Sequence, residues 1–141
     1  MGMQIELLKI AIRRRLSQAG IVDINKDFQD YGGRPLDPSG KKFWMTEKVS
    51  GDLDESQHSD IRLKDTPIYF QYDLFTPVGE GTFLLSQKED AIRKEFDIRT
   101  DRSLLEEGGA TGEVVKISSR DDINSLYSRR SIMLQIRVTS G

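Results

Sequence analysis

Ile68-Tyr69-Phe70-Gln71-Tyr72-Asp73-Leu74-Phe75-Thr76-Pro77-Val78-Gly79-Glu80-Gly81-Thr82 is the stretch that decides the fold. Ile68, Phe70, Tyr72 and Leu74 alternate with Tyr69, Gln71, Asp73 and Phe75. That is the period of a β-strand, in a run rich in aromatic and β-favouring residues. Pro77 has no N–H to donate and so ends the ladder. Gly79 and Gly81 permit a sharp reversal. Thr82 is placed to cap a helix whose apolar positions are Leu85, Ile92 and Phe96, with Leu84 and Ala91 beside them. The stretch predicts strand, turn and helix in sequence, and it carries no recognisable catalytic residue.

The flanks supply the remaining elements. Residues 3–18 form an amphipathic pattern through Ile5, Leu8, Ile12 and Leu16, joined by Leu7 and Ala11, with Gly20 as its stop. Arg13, Arg14 and Arg15 fall in its last turns. They suit either a helix C-terminus, where cations are favoured, or a patch for phosphate or an acidic partner. Residues 21–40 read as loop, with room for one short strand over 21–24 and turn signals at 31–35 and 37–40. Residues 41–49 predict a strand with Phe43 and Met45 on one face and Trp44 and Thr46 on the other. Residues 50–66 are polar and acidic, without periodicity, and read as a long loop. Residues 97–112 are polar again, with Gly108, Gly109 and Gly112 marking a turn. A strand is expected over 113–119 through Val115 and Ile117, then a connection over 118–124. The late strand runs over 129–139, with Ile132, Leu134, Ile136 and Val138 inward.

No strand–helix–strand unit repeats. The order therefore predicts a single α+β domain over residues 1–141, with a mainly antiparallel sheet and two principal helices packed on it. Its 141 residues suffice for one core that buries about 68 % of the unfolded surface. Lys and Arg number 21 against 23 Asp and Glu, so the basic excess of a sequence-independent nucleic-acid binder is missing. With no cysteine, disulfides, thiolate catalysis and Cys-based zinc are excluded. No apolar run approaches the roughly 18 residues of a membrane helix. Glu6 and Lys9 interrupt any signal-peptide core. A soluble intracellular protein without membrane contact is expected.

Three groups carry side chains or backbone suited to chemistry. Gly79-Glu80-Gly81-Thr82 could place backbone N–H groups around an anion, but it is neither a Walker loop nor a dinucleotide fingerprint, and Glu80 repels phosphate. Asp52, Asp54, Ser56, His58 and Asp60 alternate like a calcium loop, but Gln57 and Leu63 stand where that loop needs Gly and Glu. His58, the single histidine, has no nucleophile pattern around it. No catalytic residue, cofactor or metal is assigned, and a non-enzymatic protein is expected. The two-sided apolar character of the strands at Trp44, Tyr69 and Phe75 asks for a second cover, from a helix or a neighbouring subunit.

The run Tyr72 to Thr82, followed by a helix with Asp90-Ala91-Ile92 and ending at Phe96, resembles the tail terminator proteins of long-tailed bacteriophages, in particular the tail-completion group of siphophages. The specific part covers residues 68–96; the amphipathic first helix and the late strand agree in element order. The segment from Ile21 to Gly40 has no counterpart in the resemblance. The resemblance implies a ring, typically a hexamer, that caps the completed tail tube, stops its polymerisation and offers a surface to the head–tail connector. It places the protein in the virion, at the head-proximal end of the tail, after assembly in the host cytoplasm. DNA would pass through the lumen without being read. Trp44, Asp52, Asp54, Tyr69, Phe75 and Arg102 are the candidate oligomer or tube contacts, with loops 50–66 and 98–112 as their setting and the acidic segment 52–60 facing lumen or tube. Charge reversal of Asp52 and Asp54 that left tail joining intact would count against that placement. The alternatives are a connector, stopper or tube protein of the same assembly, which for a tube protein means unlimited polymers. A small cation-dependent enzyme is a further alternative, which calcium or magnesium would stabilise.

Overall fold

The computed structural model describes residues 2–30, 40–51, 67–78, 82–123 and 127–140. The elements run α1 (Gly2–Gln18), β1 (Phe28–Asp30), β2 (Trp44–Gly51), β3 (Ile68–Pro77), α2 (Phe83–Glu95), a 3-10 turn (Asp101–Ser103), β4 (Leu104–Glu107), β5 (Ala110–Ile123) and β6 (Tyr127–Ser140). The six strands form one sheet in the order β1-β2-β3-β6-β5-β4. Every pairing is antiparallel except β1 with β2. The fold is α+β with a dominant, mainly antiparallel sheet, as the sequence predicts.

Alternation along β3 and β6 sets the core. Ile68, Phe70, Tyr72 and Leu74 from β3 meet Ile132, Leu134, Ile136 and Val138 from β6 in one buried cluster. Leu8, Ile12 and Leu16 of α1 join that cluster, as do Leu85 and Ile92 of α2 and Phe96 just beyond it. Both helices therefore lie on the same face of the sheet. Gly20 ends α1 at φ +73°, with the Gly20 N–H donating to the Ser17 carbonyl and the Ile21 N–H to that of Leu16, both at 3.0 Å. That is the Schellman arrangement, and it needs a residue tolerant of positive φ.

Several expectations are corrected. No strand forms over 21–24. Instead the Lys26 and Asp27 N–H groups donate to the Asp23 carbonyl, and the strand comes later, as β1. Residues 97–112 are not one polar turn, because β4 forms there and pairs with Ala110–Glu113. Gly108 and Gly109, at φ +56° and +91°, make a two-residue hairpin turn that requires positive φ at both positions. Gly112 lies inside β5, where an added Cβ would meet the Arg137 carbonyl at 3.3 Å and Leu8 at 3.4 Å. Its role is close approach of α1 to the sheet, not a turn. β5 continues through the expected connection to Ile123, and β6 begins at Tyr127. A bulge between Val114 and Lys116 turns Val115 outward, so Val114 and Ile117 are the inward pair. Thr82 precedes α2 at φ −103°, ψ 4°, outside the extended region of a side-chain cap, and its hydroxyl makes no capping bond.

Candidate functional site: the helix-free sheet face

With both helices on one face, the other face of the sheet carries the second alternation of each strand. Trp44 stands opposite Phe75 across β2 and β3. Their rings stack at 5.5 Å between centroids and 6° between planes. Phe75 in turn meets Tyr127 of β6 edge-on, at 5.1 Å and 80°. This aromatic row bridges three strands, and each such pair contributes about 0.5–1.5 kcal/mol beyond its area. Trp44 and Phe75 are each only 9 % exposed in the single chain. Helix cover is not the reason, since neither belongs to the core beneath the helices.

Beside the row lies a cleft of about 370 Å³ bordered by Gln29, Thr46, Asp73, Phe75, Tyr127 and Arg129. Asp73 accepts a hydrogen bond from the Gln71 amide at 2.9 Å. Arg129 donates to Asp122 at 2.8 Å, while its Nε is buried without a partner among the described residues. The lining combines an amide, two hydroxyls, aromatic rings, one carboxylate and one guanidinium. Among the described residues, no group of three His, Asp or Glu could hold a metal ion.

Of the residues singled out in the sequence, Trp44, Tyr69 and Phe75 share this face. Tyr69 is half-buried and sits toward the far end of β3, opposite Ser50 and Gln135. Arg102 does not join them. It lies after α2 and donates to Glu95 at 2.7 Å. Asp52 and Asp54, with the whole calcium-like segment and His58, lie outside the described residues, as do Gly79, Glu80 and Gly81.

The opposite side of the molecule holds polar clusters that the sequence reading did not anticipate. Arg15 stands in the last turn of α1, as the helix-end reading expects, but the three arginines also have partners within the chain. Each guanidinium pairs with a carboxylate on a different element: Glu47 of β2, Glu107 of β4 and Glu95 of α2. Glu47 is fully buried. It accepts hydrogen bonds from the Tyr72 hydroxyl at 2.7 Å, from Arg13 Nε at 3.1 Å, and from Arg13 Nη2. Arg15 also donates to the carbonyls of Leu104 at 3.1 Å and Arg102 at 2.7 Å, and lies over the Phe96 ring at 4.5 Å. The signal for Glu47 was available, since alternation from Phe43 and Met45 puts it inward.

A second network fixes α2 to the sheet. Glu89 accepts from Arg93 and from the Ser119 hydroxyl, both at 2.8 Å, and from Arg130 at 3.2 Å. Burial pushes the Glu89 carboxyl up, but the bonds from Arg93 and Ser119, with the charges of Arg93 and Arg130, outweigh it and hold the group below the usual range. Lys88 moves down, because burial costs its charge more than nearby Asp27 restores. Its ammonium lies over the Phe43 ring at 4.7 Å.

No family model and no curated protein matches this chain. A solved protein structure superposes on it with a TM-score of 0.68, at 17 % identity over 96 % of both chains. The likeness is one of fold. No helix among the described residues is long and apolar enough to cross a membrane.

Proposed function

We propose that the protein is a non-enzymatic, ring-forming tail terminator of a long-tailed phage, which caps the tail tube and presents a joining surface to the head connector. The observation that carries this reading sits in the segment with the family resemblance. Its strand and helix stand as β3 and α2, and the first residue of that helix, Phe83, is 73 % exposed. That large apolar ring at the surface of the motif is available to a partner. Val78, at the end of β3, is exposed as well. The near balance of charge favours a lumen that lets DNA pass without holding it. The site of action under this reading is the head-proximal end of the tail, with tube and connector proteins as partners.

Light scattering of the purified chain across a concentration series tests the proposal. A discrete closed oligomer supports it, and negative-stain images of that species should show rings. Growth without limit would instead assign a tube protein. A strict monomer at every concentration would count against a ring that forms without the tube.

A further inference from the structure

We infer that the ring interface is a head-to-tail contact in which Phe83 of one copy enters a cleft at the far end of α2 on the next copy. This rests on the ring-forming reading above. The cleft has about 240 Å³ and is lined by Arg93, Asp97, Ile98, Arg99 and Ile117. Its volume exceeds the roughly 150 Å³ of a cavity that holds benzene, so it has room for a phenyl ring. Ile98 is 49 % exposed and Ile117 is half-buried, so the cleft has an apolar part beside the charged Arg93, Asp97 and Arg99. Phe83 and the cleft stand at opposite ends of the 13-residue α2, about 18 Å apart. The two surfaces are therefore different patches of one chain, and their union is heterologous. Such contacts close into a ring when the rotation between copies allows it, and otherwise run on as a filament.

Charge agrees with the pairing. Phe83, Gln87 and Asp90 follow one exposed stripe of α2. Arg99 is exposed at the cleft, where its present partner is Asp97, two residues away. That surface pair is weak enough to be shared. With Phe83 seated, Asp90 of the entering copy has Arg99 of the receiving copy as its cation.

Mixing variants tests the contact. Phe83→Asp spoils the entering surface and Ile98→Asp spoils the cleft. Each alone is expected to be monomeric under conditions where the wild type forms its closed oligomer. An equimolar mixture is expected to stop at a dimer, because each variant retains one intact surface. Circular dichroism shows whether each variant is folded. If Ile98→Asp is not, the pair Asp90→Arg and Arg99→Glu replaces it: each is expected to weaken association about tenfold, and the two combined in one chain to restore it. A wild-type oligomer that survives these substitutions overturns this contact and leaves the ring reading standing. A wild-type chain that stays monomeric at its highest soluble concentration overturns this contact as one that isolated copies make, and counts against a ring that forms without the tube.

Discussion

At the scale of single residues, the buried carboxylate of Glu47 shows how this chain satisfies a charge inside its core. Arg13 and Tyr72 supply three hydrogen bonds from two elements. Removing one partner leaves a charge without compensation, which costs more than the intact pair contributes. Arg13→Leu is expected to lower stability by about 3–5 kcal/mol. Tyr72→Phe keeps the ring in the core and removes one bond, for about 1–3 kcal/mol. Adding Glu47→Leu to Arg13→Leu and Tyr72→Phe should recover most of the loss, because the buried carboxylate that those two side chains satisfy is removed with them. Urea unfolding of the singles and the triple decides this; a triple variant whose loss equals the sum of the singles would show that the cluster is not one unit. The Gly108-Gly109 turn makes a second residue-scale case. Gly109 has open space around a Cβ but sits at φ +91°. Gly109→Ala is expected to cost about 1–2 kcal/mol from backbone strain alone, read as a lower urea midpoint with an unchanged slope.

At the scale of elements, α2 is anchored by Glu89 through bonds to β5 and β6. Its carboxyl is held below the ordinary value of about 4.3. The unfolded chain therefore binds the proton more readily than the folded one. The stabilisation is complete above the unfolded value and is lost as pH falls through the lower folded value. Glu89→Gln is expected to cost about 1–3 kcal/mol at neutral pH and to flatten the acid limb of the stability curve. An acid limb as steep as the wild type's would remove Glu89 from the account. The same elements show what the sequence could disclose. β3, β6 and α1 each hold four residues of a clean apolar period, and α2 adds Leu85 and Ile92 with Phe96 just beyond it, so burial and pattern agree. β4 was missed because Leu105 is the only buried apolar residue among its four, and a turn-like glycine pair follows at once. β1 has three residues, and its parallel pairing with β2 depends on a partner distant in sequence. The inward face of β5 is hidden in the sequence because the bulge between Val114 and Lys116 shifts the alternation by one, which no period reveals. On the candidate site, alternation placed Trp44, Tyr69 and Phe75 on one face. It gave no sign that the three arginines of α1 would each find a carboxylate, since those partners lie 34 to 93 residues away: Glu47, Glu95 and Glu107.

At the scale of the whole molecule, the placement of both helices on one side divides the surface into unlike halves. One half is tied down by ion-pair networks that link α1 and α2 to β2, β4, β5 and β6. The other is a sheet face stiffened by the Trp44–Phe75–Tyr127 row. If copies of this chain associate, their assembly should show in thermal stability. Association engages the folded chain and not the unfolded one, which makes the melting temperature depend on concentration. At a free subunit concentration 100-fold above the dissociation constant, the native state gains about 2.7 kcal/mol. For a domain of this size that corresponds to a rise of roughly 5–10 °C. Trp44 is the single tryptophan and lies in the aromatic row, so its emission follows the sheet directly. The expected result is a melting temperature that climbs with wild-type concentration and stays flat for Phe83→Asp. Equal slopes for the two chains would mean that association does not use the α2 end, and a flat wild-type line would mean that the isolated subunit does not assemble.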